Sequence, residues 1–365
     1  MKNLYFVLLL TFISPLFSNS ALAQCDDISL ENLTNPGPFD VEILTEADGI
    51  RNGPNYLEAT IYYPTNATPP FASIAIVPGF VSLPTSVEEW GPFYASHGIV
   101  TIIIGTNSIF DLPEARANAL LDALETIKQE NSRVSSPLEG DLNLEQLAVS
   151  GWSMGGGGAQ RAAVLDNSIA GVVALCPWLE NPQLDHQSPV LIFSGEEDAV
   201  APPSQHADLH YNATPNMTDK VLFEIANGDH SVANTPNGGN GSVGRIALSW
   251  LKLYVENNDC YCPLLTDNLL VNPPAASKVE QSFECELLGI DSQELAIGYY
   301  PNPTRNIVYL EIPNDVHYEL ISPLGQPLLE GNLTGNNKQI DLSQFPENLY
   351  YLHIEGQIIK LIKYN

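Results

Sequence analysis

The stretch Gly151-Trp152-Ser153-Met154-Gly155 carries the plainest chemical content of the chain. It follows a short apolar run, Leu147–Val149, and opens a helical stretch, Met154–Asp166. A serine hydroxyl projects as a nucleophile only from a tight strand-to-helix corner, where strained backbone leaves no room for flanking side chains. Glycines at 151 and 155 remove those collisions, and Gly156, Gly157 and Gly158 let the helix pack close to its sheet. Ser153 then stands at a helix N-terminus, where amides and the helix dipole favour developing negative charge. The chemistry this allows is acyl transfer.

A hydroxyl is a poor nucleophile at neutral pH, so it needs a base, and the base needs an orienting acid. On an open, mostly parallel sheet the order along the chain is Ser, acid, His. After Ser153, the run Val190–Phe193 ends in Ser194-Gly195-Glu196-Glu197-Asp198, and Val221–Ile225 ends in Ala226-Asn227-Gly228-Asp229-His230. Both segments lie just past strand C-termini, where such sites assemble. Asp198 is therefore expected as the acid and His230 as the base. Glu196 and Glu197 are rival acids, and His206 and His210 rival bases, although the two histidines read as an exposed polar helix. Asp229 is expected to cap or turn its loop. The oxyanion needs two donors: the Met154 amide, and an amide after an earlier strand, for which Ile76-Val77-Pro78-Gly79-Phe80 offers Phe80.

The elements that must position these groups alternate. Apolar runs at Ala72–Val77, Ile99–Ile104, Leu147–Val149, Ile169–Leu175, Val190–Phe193 and Val221–Ile225 are short and nearly continuous, as in strands buried on both faces. Helical stretches at Val87–Ser96, Glu114–Glu130, Met154–Asp166 and Val243–Asn257 separate them, and Glu58–Tyr63 suits an antiparallel start. This pattern predicts an α/β-hydrolase fold, a mostly parallel sheet flanked by helices.

Between about residues 40 and 258 the chain resembles the bacterial cutinase-type polyester hydrolases, including those acting on poly(ethylene terephthalate). The resemblance rests on Val77-Pro78-Gly79-Phe80, Thr106-Asn107-Ser108-Ile109-Phe110-Asp111-Leu112-Pro113, the Gly151–Gly158 stretch, Cys176-Pro177-Trp178, Glu197-Asp198-Ala199-Val200-Ala201-Pro202 and Asp229-His230-Ser231-Val232-Ala233-Asn234. It implies the same Ser153, His230 and Asp198. It also implies an open cleft without a lid, formed by Phe80, Met154 and Trp178 with Val200 alongside and Trp152 nearby. Two aromatic rings there could hold a flat apolar ring by edge or offset contact, each worth about 0.5–1.5 kcal/mol beyond burial. Phe80 stands where the family commonly has Tyr, and Trp152 where many members have His. The Gly- and Asn-rich run Asn234–Gly244 resembles an extended-loop form and is expected to be mobile. No cofactor or metal is required by this chemistry.

The ends of the chain read differently. Lys2 followed by the mostly apolar Leu4–Phe17 and then Ala21-Leu22-Ala23 predicts a secretion signal peptide over residues 1–23. Export makes disulfides reasonable. Cys25, Cys260, Cys262 and Cys285 are expected to form two bridges, with three pairings open, while Cys176 ends an apolar run and reads as a buried free thiol. A hydrolase domain over 24–286 and a linker over 287–294 are expected to precede short alternating strands from 295 to 365. These include Asn306–Ile312, Tyr318–Ile321 and Leu349–Ile354, with turn signals at Tyr300-Pro301-Asn302-Pro303, Pro323-Leu324-Gly325, Gly331-Asn332 and Asn336-Asn337. They predict a small C-terminal β-sandwich. Its opening at Tyr300-Pro301-Asn302-Pro303-Thr304 and closing Lys360-Leu361-Ile362-Lys363-Tyr364 resemble the sorting domain of the type IX secretion system, which implies that machinery as a partner and an extracellular destination.

Composition narrows the classes. The 365 residues carry 43 acids against 14 Lys and Arg, a net charge of −29, and 44 % are hydrophobic. Such a chain can bury a large core. Its negative surface repels phosphate backbones and anionic headgroups, which argues against nucleic-acid partners and polybasic membrane contact. The leading expectation is a secreted, monomeric serine esterase acting on polyesters. A general carboxylesterase or lipase and a non-enzymatic surface adhesion protein are the alternatives.

Overall fold

The computed structural model describes residue 25 and residues 28–271, 273–285, 297–312, 315–323, 326–334, 338–354 and 357–364. The signal peptide and the linker expected from the sequence lie outside these residues. The chain divides into two compact units, 1–286 and 287–365.

The first unit is built on a nine-stranded sheet ordered β1-β2-β4-β3-β5-β6-β7-β8-β9. The strands are β1 Val41–Thr45, β2 Tyr56–Pro64, β3 Phe71–Val77, β4 Val100–Thr106, β5 Leu142–Trp152, β6 Gly171–Leu175, β7 Val190–Gly195, β8 Lys220–Ile225 and β9 Ala276–Ser282. From β4 through β8 neighbours run parallel, while β1, β2 and β9 form antiparallel margins. The helices are α1 Trp90–Ala95, α2 Pro113–Glu130, α3 Met154–Leu165, α4 Ala207–Ala213, α5 Ser242–Tyr254 and the short α6 Tyr261–Leu264.

Strands β3, β4, β6 and β7 are wholly buried because each face of the sheet carries its own core. Ile74 and Ile76 of β3 pack with Trp90, Phe93, Trp250 and Leu251 of α1 and α5. Ala75 and Val77 of the same strand face the other way and pack with Leu120, Leu124, Ala159 and Ala162 of α2 and α3. Side chains alternate between faces along a strand, so burial on both sides demands the unbroken apolar runs seen in the sequence.

Two differences from the sequence reading have physical causes. The marginal strands β1 and β9 carry no buried-strand pattern: β1 buries only Leu44 and exposes Glu42 and Ile43, and β9 buries no residue. The histidines expected on an exposed helix are buried instead: His206 immediately precedes α4 and His210 lies on it, and both turn inward. Burial by tertiary packing overrides the polar local sequence.

The four cysteines pair as Cys25–Cys260 and Cys262–Cys285, leaving Cys176 as the buried free thiol. The first bridge ties the N-terminal segment to the loop after α5. The second ties α6 to the chain emerging from β9.

The second unit has a three-stranded sheet, β10 Gly298–Tyr300, β11 Ile307–Glu311 and β14 Gln339–Asp341, and a four-stranded sheet of β13 Pro327–Leu333, β12 Val316–Ile321, β15 Asn348–Ile354 and β16 Gln357–Lys363. Val308, Leu310 and Ile340 of one sheet share a core with Leu320, Leu352 and Leu361 of the other, which makes the unit a small β-sandwich. Gly331-Asn332, read as a turn, lies inside β13. Gly331 faces Tyr318 of β12, where a Cβ would meet the tyrosine ring at 3.1 Å.

Replacing Cys262 and Cys285 together by Ala is expected to lower stability by about 3 kcal/mol through the lost loop constraint. Urea denaturation against wild type measures it, and coincident midpoints would contradict a stabilising bridge.

Candidate active site

β5 runs into α3 through a single sharp corner at Ser153, whose φ of 58° and ψ of −121° lie in a region that L-residues rarely occupy. The corner is tight: a Cβ on Gly151 would lie 2.3 Å from the Gly155 carbonyl oxygen, and one on Gly155 would lie 2.5 Å from that of Val77. Main-chain bonds hold it in place. The Ser153 amide donates to Leu175 O at 2.9 Å, and the Trp178 amide donates to Ser153 O at 2.8 Å.

β7 and β8 deliver the remaining groups. His230 Nε2 lies 2.9 Å from Ser153 Oγ, and its Nδ1 lies 2.7 Å from Asp198 Oδ2. The second Asp198 oxygen, Oδ1, accepts from the amides of Val200 and Ala201 at 2.9 and 2.8 Å. Burial works against the Asp198 charge, but the bonds from His230, Ala201 and Val200 outweigh it and hold the carboxyl below its ordinary pKa. An ionised acid at Nδ1 fixes the tautomer in which Nε2 can accept the serine proton.

The rival residues have other work. Glu196 is exposed and its Oε2 accepts from the Asn227 amide at 2.8 Å, while the Glu197 amide donates to Gly228 O at 2.8 Å. Together they clip the acid loop to the histidine loop. Asp229 turns its loop by accepting from the Ser231 amide and hydroxyl at 2.9 and 2.8 Å. His210 sits beside Gln160, 2.7 Å away, and His206 stacks under Trp178 with ring centroids 5.4 Å apart.

The expected cleft residues cluster around the serine. Phe80, 42 % exposed, meets Phe110 edge-on at 5.7 Å. Val200 is 61 % exposed, and Met154 and Trp178 are half-buried. Gly79 brings the Phe80 loop against Ser153: a Cβ there would sit 2.9 Å from Ser153 Cβ. Trp152 is half-buried, packs on the His230 ring at 5.1 Å, and donates its indole N–H to His230 O at 2.7 Å. It thus braces the histidine loop, a contact no sequence motif announces. The Asn234–Gly244 run closes into successive turns, with Gly241 N bonded to Asn237 O and Gly244 N to Pro236 O, both at 2.9 Å. Among the described residues no group of three His, Cys, Asp or Glu side chains could hold a metal ion.

Residues 26–285 match the family model described as PETase, PET hydrolase-like. The chain belongs to this family. Among curated relatives, the bis(hydroxyethyl) terephthalate hydrolase of Streptomyces coelicolor is 33 % identical over 218 residues, covering 58 % of this chain and 68 % of that protein. Cutinase est1 of Thermobifida alba is 35 % identical over 234 residues, covering 63 % and 75 %. Cutinase 2 of Thermobifida cellulosilytica is 34 % identical over 228 residues, covering 61 % and 82 %. Residues 298–364 match the secretion system C-terminal sorting domain. As a PET hydrolase-like protein, the chain is a carboxylic ester hydrolase of the cutinase type, and its sorting domain marks it for export.

Three buried histidines, His206 and His210 at α4 and His186 before β7, favour a fold that loses stability in acid. Burial lowers the pKa of His206, takes His186 down to about 4, and takes His210, with His206 beside it, down to about 3. Each binds a proton less readily folded than unfolded. The stability tied to their neutrality is therefore complete above the ordinary imidazole value of 6.5 and falls as pH drops from there towards 3. His210 alone contributes a slope of about 1.4 kcal/mol per pH unit. His210→Phe is expected to flatten the dependence of melting temperature on pH between 6.5 and 4; a parallel curve would contradict it.

Proposed function

We propose that residues 1–23 direct export, that residues 24–286 form the catalytic domain, joined by a linker over 287–294 to the sorting domain at 295–365, and that the enzyme cleaves ester bonds of polyesters such as cutin-like material and poly(ethylene terephthalate). His230 Nε2 takes the Ser153 Oγ proton as the oxygen attacks the ester carbonyl. The amides of Phe80 and Met154 receive the oxyanion, and Asp198 stabilises the imidazolium. His230 returns the proton to the departing alkoxide, leaving an acyl-enzyme. Water then repeats the sequence: His230 removes its proton, hydroxide adds to the acyl carbon, and Ser153 leaves with the proton.

The observation that carries this reading is the unbroken chain Ser153 Oγ, His230, Asp198 at 2.9 and 2.7 Å, opening on exposed apolar side chains. Phe80, Phe110 at 62 % exposure and Val200 at 61 % suit a flat, uncharged polymer segment rather than a small polar ester. The relatives named for terephthalate ester and cutin hydrolysis support the same substrate class. One chain supplies all three catalytic groups and both amides, so the enzyme is proposed to act as a monomer.

Ser153→Ala is expected to cut kcat on a p-nitrophenyl ester by about 10⁴–10⁶-fold with an unchanged melting temperature; turnover near wild type would overturn the assignment. Trp178→Ala is expected to reduce release of soluble products from amorphous polyester film several-fold more than hydrolysis of p-nitrophenyl acetate. Equal losses would place Trp178 outside the polymer-binding surface and favour a general carboxylesterase.

A further inference from the structure

Arg116 on α2 is completely buried, one of the largest fully enclosed side chains among the described residues. Among the described residues its guanidinium makes no ion pair with a carboxylate at contact distance. It spends its donors on three main-chain carbonyls: Pro78 O at 2.7 Å, Asp111 O at 2.9 Å and Ile109 O at 3.2 Å. These carbonyls belong to the two loops that border the cleft, after β3 and after β4. Burial brings the guanidinium pKa down to about 10, against a partial opposing pull from Asp111. A buried cation with only carbonyl partners is costly, and folds keep such an arrangement where it fixes something.

What it fixes is the backbone around Phe80. Pro78, two residues before Phe80, is anchored through its carbonyl. Val81, the residue after it, donates its amide to Ile109 O at 2.7 Å, the same oxygen that Arg116 holds. Val81 has a φ of 55°, a conformation a β-branched residue adopts only when its surroundings impose it. The Phe80 peptide is thus clamped on both sides by one guanidinium and its shared acceptor. Among the described residues the Phe80 amide donates to no backbone carbonyl. The nucleophile helix leaves room for the clamp at Gly158, where a Cβ would meet Arg116 Cβ at 2.8 Å.

We propose that Arg116 is a positioning residue for ester hydrolysis, aiming the Phe80 amide at the developing oxyanion by gripping the carbonyls of Pro78 and Ile109. This rests on the reading of Phe80 and Met154 as the oxyanion donors. A donor displaced from its aim loses transition-state stabilisation while substrate affinity is largely kept, because the oxyanion forms only as the reaction proceeds.

The test uses the full mature chain with Arg116→Met and Arg116→Lys, assayed on a soluble p-nitrophenyl ester. Arg116→Met is expected to lose about 10²–10³-fold in kcat, the usual cost of one oxyanion donor, with KM changed less than threefold. Arg116→Lys keeps the charge but reaches one carbonyl at a time, and is expected to recover about tenfold of that loss. Inhibition by phenylboronic acid, whose tetrahedral adduct on Ser153 sets an oxygen at the same amides, is expected to weaken in step with kcat. If Arg116→Met fails to fold, Arg116→Lys decides: a folded lysine variant with wild-type kcat and boronate affinity overturns the proposal. So does a loss confined to KM. The parallel Ser153→Ala assay separates the two readings. An inactive serine variant beside normal Arg116 variants sinks only the positioning role, whereas an active one sinks the serine mechanism itself.

Discussion

The corner at Ser153 is the constraint from which the rest of the catalytic unit follows. A serine held at positive φ costs about 1–3 kcal/mol, and the structure returns that cost through the bonds to Leu175 O and from the Trp178 amide, each worth about 1 kcal/mol. The corner also dictates composition. Because the strand and helix meet so closely, Gly151 and Gly155 admit no side chain. Because the corner points beyond the C-terminal edge of the parallel strands, its partners must come from the ends of β7 and β8. The Glu197–Gly228 and Asn227–Glu196 bonds then hold those two strand ends together. The spacing of Asp198, His230 and Ser153 is therefore set by the strand ends and the bonds that join them.

Electrostatics at the site follow from where water is excluded. Asp198 is buried yet charged, because an imidazole N–H and two amides replace its hydration. Cys176 lies behind the same strand ends, and burial together with Asp198 raises its thiol pKa. It is thus kept from forming a thiolate that could compete as a nucleophile. The sulfur fates are set by which side chains meet: Cys25 with Cys260 and Cys262 with Cys285 are bridged, and Cys176, enclosed with no cysteine partner, stays reduced.

The parallel core and the residues of the site were legible in the sequence for one reason: strands buried on both faces cannot hide their pattern, and a tight corner cannot do without its glycines. Ser153, Asp198 and His230 come together through segments whose ends were readable as apolar runs meeting Gly, Asp and Asn. The margins were not readable. β1 and β9 need only one apolar face, so their sequences look like loops. His206 and His210 look like solvent-facing residues, because nothing local records that Trp178 and Gln160 will cover them. The disulfide pairing likewise depends on which ends meet in space. Arg116 was hidden for the same reason: an arginine on an amphipathic helix ordinarily faces water, and only the loops folded over it reveal that it faces carbonyls.

The scarcity of cations explains how a net charge of −29 is compatible with so much internal order. Many of the 14 basic side chains are committed to the fold. Arg116 and Lys220 are buried against main-chain carbonyls, and Lys220 gathers Tyr211 O and Thr214 O at 3.0 and 2.7 Å. Arg51 pairs with Asp122, Arg133 with Glu130, Lys252 with Glu256, and Lys278 reaches Asp208, Glu224 and Glu280. The cations act as clips between elements, and few remain to neutralise the surface. The surplus acids keep the molecules apart in solution. They do not repel an uncharged polymer, and the exposed side chains of Phe80, Phe110, Leu112 and Val200 carry no charge of either sign. The balance of charge thus separates two demands on a polyester hydrolase: the acidic surface at large favours solubility, while these apolar side chains present no charge that an uncharged polymer would have to desolvate.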